Sequence, residues 1–142
     1  MSGDHAVLLA VPADGAYLGV LRTAAAGLAA RLQFTLDEIE DLRIAVDEAC
    51  AMLIRLTAPS EELRCCFSLD GERLRVEVAV PGAPVPDTSS FAWQVLTSLT
   101  GEASTWRQDD TVSIALTARR EVGAAGGVTR RAPPSWRGPA AT

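Results

Sequence analysis

Residues 35–56 constrain the fold more than any other stretch of the chain. Thr35-Leu36-Asp37-Glu38 fits a capping box, in which the threonine hydroxyl and the glutamate carboxylate satisfy each other's orphan amides at a helix start. Asp37 and Glu38 lie where the helix dipole favours negative charge. Beyond them Leu36, Ile39, Leu42, Val46, Ala49 and Leu53 recur at spacings of three, four or seven, and Pro59 lies shortly past the end. A long helix with one apolar stripe must lay that stripe on another layer. In the middle of this helix stands a carboxylate, Glu48, with Met52 one turn later on the same face.

The rest of the chain supplies the partner layer. His5-Ala-Val-Leu-Leu-Ala-Val11 reads as a first strand ended by Pro12. Asp14 and Gly15 open a helix over 16–32, in which Tyr17, Leu18, Leu21, Ala25, Leu28 and Leu32 form the stripe. Strand-like runs over 63–69 and 73–80 flank Asp70-Gly71-Glu72, and Asp-Gly between such runs signals a hairpin. In the second run Leu74, Val76, Val78 and Val80 alternate with Arg73, Arg75 and Glu77, which predicts one buried and one polar face. Pro81-Gly-Ala-Pro-Val-Pro86 is a breaker-rich loop. A third helix is expected over 89–99, with Phe91, Val95, Leu96 and Leu99 inward, followed by strands at about 103–107 and 111–118 around a turn at Asp109-Asp110. Long helices combined with antiparallel hairpins predict an α/β two-layer sandwich over residues 5–120. From residue 121 onward Gly, Ala, Pro and Arg dominate without apolar period, which reads as a disordered tail over 121–142. Trp136 there reads first as part of an unstructured terminus and second as a short recognition element.

Composition narrows function. With 48% hydrophobic and 22% charged residues the chain is globular in type. Its net charge of -5 argues against nucleic acid as a direct partner and fits a basic protein better. No apolar run approaches membrane-spanning length, and Met1-Ser-Gly-Asp-His5 lacks the features of a secretion signal. Cys50, Cys65 and Cys66 are odd in number, and adjacent strand residues point to opposite faces. They read as reduced thiols of a cytoplasmic protein rather than as zinc ligands. His5 has no metal-ligating neighbours in sequence and reads as solvated.

The order strand, helix, helix, then four strands with one helix inserted between the middle two, resembles the superfamily of histidine kinases, gyrase and Hsp90. Within it the chain resembles the RsbW-type anti-sigma factors, which are small serine kinases. The most specific stretch is Leu36-Asp-Glu-Ile-Glu-Asp-Leu-Arg-Ile-Ala-Val-Asp-Glu-Ala-Cys50. Ser90-Phe-Ala-Trp-Gln-Val-Leu-Thr-Ser-Leu99 and Ile114-Ala-Leu-Thr-Ala-Arg-Arg120 resemble the actinobacterial branch. The resemblance implies a Bergerat fold, with a mixed, mostly antiparallel sheet covered on one face by three helices. It implies sequestration of a sigma factor, release by an anti-anti-sigma (STAS) protein, and a homodimer. In catalytic members ATP and magnesium serve phosphorylation of the anti-anti-sigma protein on serine.

The family motifs carry over unevenly. Glu48 matches the acid of the Glu-x-x-x-Asn motif, whose implied role is general base. Taken alone it reads as a solvated helix carboxylate. The Asn position, which supplies oxygen to magnesium, holds Met52, a soft donor. In the Asp-x-Gly-x-Gly motif the adenine-binding acid is replaced by Val80; Gly82 is kept, and the second glycine is Pro84. The phosphate-cradling glycines ahead of the third helix are replaced by Ser90-Phe-Ala-Trp93. Phe91 and Trp93 either fill the nucleotide's space or pack on the surface. These departures predict that ATP binding is weakened or lost and that no cofactor is required. An active serine kinase is the alternative, and a protein that titrates only the anti-anti-sigma partner is a third. Arg22 coincides with an arginine that partners contact in relatives; read alone, it is a solvated helix arginine.

Overall fold

A computed structural model of the chain describes residues 5–121. The strands are β1 (His5–Pro12), β2 (Glu62–Asp70), β3 (Arg73–Pro81), β4 (Glu102–Gln108) and β5 (Thr111–Arg119); the helices are α1 (Leu18–Arg31), α2 (Leu36–Leu56) and α3 (Phe91–Leu99). The five strands form one sheet in the order β1-β2-β3-β5-β4. All four pairings are antiparallel, so the expectation of a mostly antiparallel sheet holds and its parallel component is absent among the described residues. The last strand enters between β3 and β4, leaving β1 and β4 as edges.

The alternating pattern sets the layers. Leu63, Cys65, Phe67 and Leu69 of β2, Leu74, Val76, Val78 and Val80 of β3, and Val112, Ile114 and Leu116 of β5 are buried. Side chains of one parity point to one face, so these residues meet the helices. They join Leu21, Ala25 and Ala29 of α1, Leu42, Val46, Ala49, Met52 and Leu53 of α2, and Trp93 and Leu96 of α3 in one contiguous core. The opposite face carries Arg64, Cys66, Arg75, Glu77 and Ala79 and is open.

Local chemistry explains the boundaries. The Thr35 hydroxyl accepts from the Glu38 amide at 3.1 Å, while the Glu38 carboxylate accepts from the Thr35 amide at 2.7 Å, completing the capping box. Gly71 turns the β2–β3 hairpin with φ +60°, a conformation that costs glycine little. Two expectations need correction. The helix anticipated from residue 16 begins at Leu18, after a single 3-10 turn over Gly15–Tyr17 nucleated by the Asp14 carboxylate on the Ala16 amide. Tyr17 is accordingly 42% exposed rather than part of the stripe. Leu36, placed in the α2 stripe, is 84% exposed, because the first helical residue lies beyond the edge of the surface that the later stripe covers.

Candidate functional site

Met52, Val80 and Trp93, singled out in sequence, share one core. Glu48 and Met52 share a face of α2, a helix fixed along its length by the burial of Leu42, Ala45, Val46, Ala49, Cys50 and Leu53. Glu48 is half-buried and makes no hydrogen bond or ion pair among the described residues. Met52 is only 6% exposed and belongs to the core. Across from it, Val80 at the end of β3 is 1% exposed and Trp93 on α3 is 7% exposed, in the same core. On the motif positions that the resemblance implies, a thioether, an isopropyl group and an indole stand in place of an amide, a carboxylate and a phosphate-binding turn. None supplies an oxygen acceptor or anionic ligand for a hard cation.

Phe91 and Trp93 part company. Helical phase puts residues two apart roughly 160–200° from each other on a helix turning about 100° per residue. With Trp93 and Leu96 turned inward, Phe91 must turn outward, and it is 79% exposed. The expectation of an inward Phe91 is therefore wrong, while Leu96 is buried and Val95 and Leu99 are half-buried as anticipated in kind.

The loop joining β3 to α3 is tied down at three successive carbonyl or amide groups. The Thr57 hydroxyl donates to the Pro81 carbonyl at 2.7 Å, the Gly82 amide donates to the Asp110 carbonyl at 2.8 Å, and Arg107 Nη2 donates to the Ala83 carbonyl at 2.6 Å. Gly82 adopts φ +72° to make this turn, so the retained glycine has a structural use here. Ala83 and Pro86 are buried beneath it. Downstream, the Asp87 carboxylate accepts from the Ser89 hydroxyl and amide at 2.7 and 2.9 Å, which holds its pKa below the usual carboxylate value. Ser90 caps α3 by accepting from the Trp93 amide at 3.2 Å.

Arg22 meets the residue that precedes Glu48. On α1 it reaches α2, where Nη1 contacts Asp47 Oδ1 at 2.5 Å, with side chains 38% and 40% exposed. No local pattern signals this pairing; helix–helix register decides it. The cysteines fall as their adjacency predicts. Cys65 points into the core, where burial first and Cys66 second push its thiol from 9.0 up to about 12; Cys50 is raised by burial, then by Cys65 and Asp47; Cys66 is half-buried on the open face. Among the described residues no group of His, Cys, Asp or Glu side chains has a metal-binding arrangement. No helix there is long and apolar enough to cross a membrane. The tail from 122 onward, including Trp136, lies outside the described residues.

Comparison with known proteins agrees with this geometry. The histidine kinase-like ATPase domain profile matches residues 11–104. The anti-sigma-F factor RsbW of Mycobacterium tuberculosis is 37% identical over 131 aligned positions, covering 83% of this chain and 76% of that protein. The serine-protein kinase RsbW of Bacillus subtilis is 40% identical over 75 positions, covering 51% and 47%. A crystal structure of RsbU and RsbW domains from Mycobacterium tuberculosis superposes with a TM-score of 0.64 at 15% identity, over 82% of this chain and 32% of that one, a likeness of fold. The chain therefore belongs to the histidine kinase-like ATPase family, in its RsbW-type branch.

Proposed function

We propose that this protein is an anti-sigma factor that acts by direct binding, masking sigma-factor surfaces needed for RNA polymerase, and that a STAS-type anti-anti-sigma protein releases it by competing for the same face. The name of its Mycobacterium tuberculosis relative, anti-sigma-F factor, supports the sigma-factor partner. The observation that carries the binding-only reading is the packing of Met52, Val80 and Trp93 into one core. Lost magnesium and phosphate contacts cost about 1–3 kcal/mol each, because a charged partner goes unmet. Two or three such losses take a micromolar nucleotide site to about millimolar.

Arg22 would meet the partner after exchanging Asp47 for a partner carboxylate, for which its planar fork suits it. Val7, Leu8, Tyr17 and Val20 expose apolar surface on β1 and at the start of the first helical segment, which supports a homodimer through that side. Three unbridged cysteines are consistent with a reducing, cytoplasmic setting.

Two measurements test the proposal. A stable complex should form with a sigma factor of the host, detected by co-purification of the two full chains; no complex with any of them sinks the reading. Calorimetric titration with ATP and magnesium should give no binding tighter than about millimolar. The alternative, an active serine kinase, is favoured by one feature: Glu48 survives, half-buried and without a partner among the described residues. Micromolar ATP binding with phosphate transfer to a serine, lost in Glu48→Gln, would establish it instead.

A further inference from the structure

The sheet face turned away from the helices holds a groove of about 950 Å³. Cross-strand register builds it. Ala10 stands opposite Arg64, Arg64 opposite Ala79, Ala79 opposite Ser113, and Ser113 opposite Trp106. Residues directly opposite in a ladder point to the same face, so the small side chains of the middle strands form a floor between larger walls. Leu8 and Arg64 stand on one side and the half-buried indole of Trp106 on the other. Leu8 is 74% exposed and lies opposite Cys66 on this face, whereas Val7, opposite core-facing Phe67, keeps to the helix side.

Most charges on this face cancel. Arg64 bonds Glu62 and Arg75 bonds Glu77; at the far end of the strands Arg73 and Arg119 are matched in number by Asp70 and Glu102. The surplus lies at the β4–β5 turn. Asp109 lines the groove and Asp110 follows it, and neither is in an ion pair among the described residues. The complement of this groove is an apolar ring accompanied by cations.

The chain carries such a segment itself. Residues 122–142 contain Trp136 with Arg130, Arg131 and Arg137 and no aspartate or glutamate, against a body, residues 1–120, with 10 arginines and 17 carboxylates, a net charge of -7. Its reach is sufficient. The Glu121 amide bonds the Glu38 carboxylate at the start of α2, so the chain leaves from the helix side and must pass one sheet thickness, about 10 Å. Ser113 on the groove floor lies six residues back from Arg119, about 20 Å along the strand. Trp136 is 15 residues beyond Glu121, up to about 50 Å of chain.

We infer that this groove is the docking site of the chain's own residues 130–137, with Trp136 seated between Leu8 and Trp106 and its arginines toward Asp109 and Asp110. Seated there, the segment is a built-in cover that closes the open sheet face to other chains. The inference stands apart from the anti-sigma reading.

Cys66 reports the contact, because its thiol is half-buried in the groove while Cys50 and Cys65 lie in the core. The test is the rate of Cys66 alkylation by iodoacetamide in the full native chain, followed by peptide mass spectrometry. A tether of this length gives a local concentration of about millimolar. An intrinsic Kd of about 0.25 mM then keeps the groove covered about 80% of the time, and freeing it speeds alkylation about fivefold. Trp136→Ala should give that rise, as should the triple variant Arg130→Gln, Arg131→Gln, Arg137→Gln, and added salt should move the wild type toward the triple variant. All these substitutions lie outside the folded core, so they test docking rather than folding. Equal Cys66 rates in wild type and both variants overturn the inference. A wild-type rate that falls as protein concentration rises also overturns it, by showing that a second copy covers the groove.

Discussion

The α2 side and the loop–α3 side of the positions read as nucleotide motifs are packed differently in this chain. On α2 the acid survives: Glu48 is half-buried, unpaired among the described residues, and set in the stretch that most resembles the family. On the other side, Val80, Ala83, Pro86 and Trp93 are interior, and the loop between them is bonded to Thr57 just past α2, to β4 and to the β4–β5 turn. On the proposed reading, packing closes the nucleotide position while the carboxylate of Glu48 stays in place. A carboxylate is a poor guide to activity unless its surroundings leave room for what it acts on.

Four substitutions probe that contrast. Trp93→Ala should be the most damaging, costing about 3–5 kcal/mol of stability in urea unfolding, as removal of a buried large aromatic does; a loss under about 1 kcal/mol would mean that the loop–α3 side is not core. Met52→Asn, which restores the family's amide, should cost about 2–4 kcal/mol, combining lost apolar burial with an amide that lacks partners, and should not bring ATP binding in calorimetry. A gain of micromolar ATP affinity would show that the pocket opens when asked, and would break the comparison. Arg107→Ala, which frees the Ala83 carbonyl, should cost about 1 kcal/mol, because the arginine is exposed and water can replace it; faster amide exchange confined to 81–90 would sharpen the picture of an anchored loop. Glu48→Gln should change stability by no more than about 0.5 kcal/mol and leave sigma-factor affinity unaltered.

The architecture was legible where local chemistry is strong. The Thr35 capping box, the Asp70-Gly71 hairpin and the alternation through β3 each follow from short-range rules, and each is present. The position of β5 between β3 and β4 was not legible, because strand order depends on contacts distant in sequence. The candidate site divided in the same way. Val80 sat on a periodic apolar face, so its burial could be read from pattern, whereas Met52 lay outside the stripe assigned to α2 and its burial is set by packing. Phe91 was misplaced because a nine-residue helix offers too few repeats to set its phase, and one buried indole decides which neighbour faces out. The Arg22–Asp47 pair was invisible, since the two residues come from different helices and only the packed register joins them.

The insertion of β5 also bears on how the chain reaches this state. β3 pairs with β2 across a tight hairpin, but its other edge stays unpaired until Thr111–Arg119 has been made and has found its register, from Val80 opposite Val112 to Arg73 opposite Arg119. Long-range pairing of this kind is slow to form. During synthesis, therefore, a valine-rich strand edge stands open to any neighbouring chain. A nascent chain halted before Thr111 should be a target for chaperones and prone to aggregate, while one extended past Arg119 can close its own sheet.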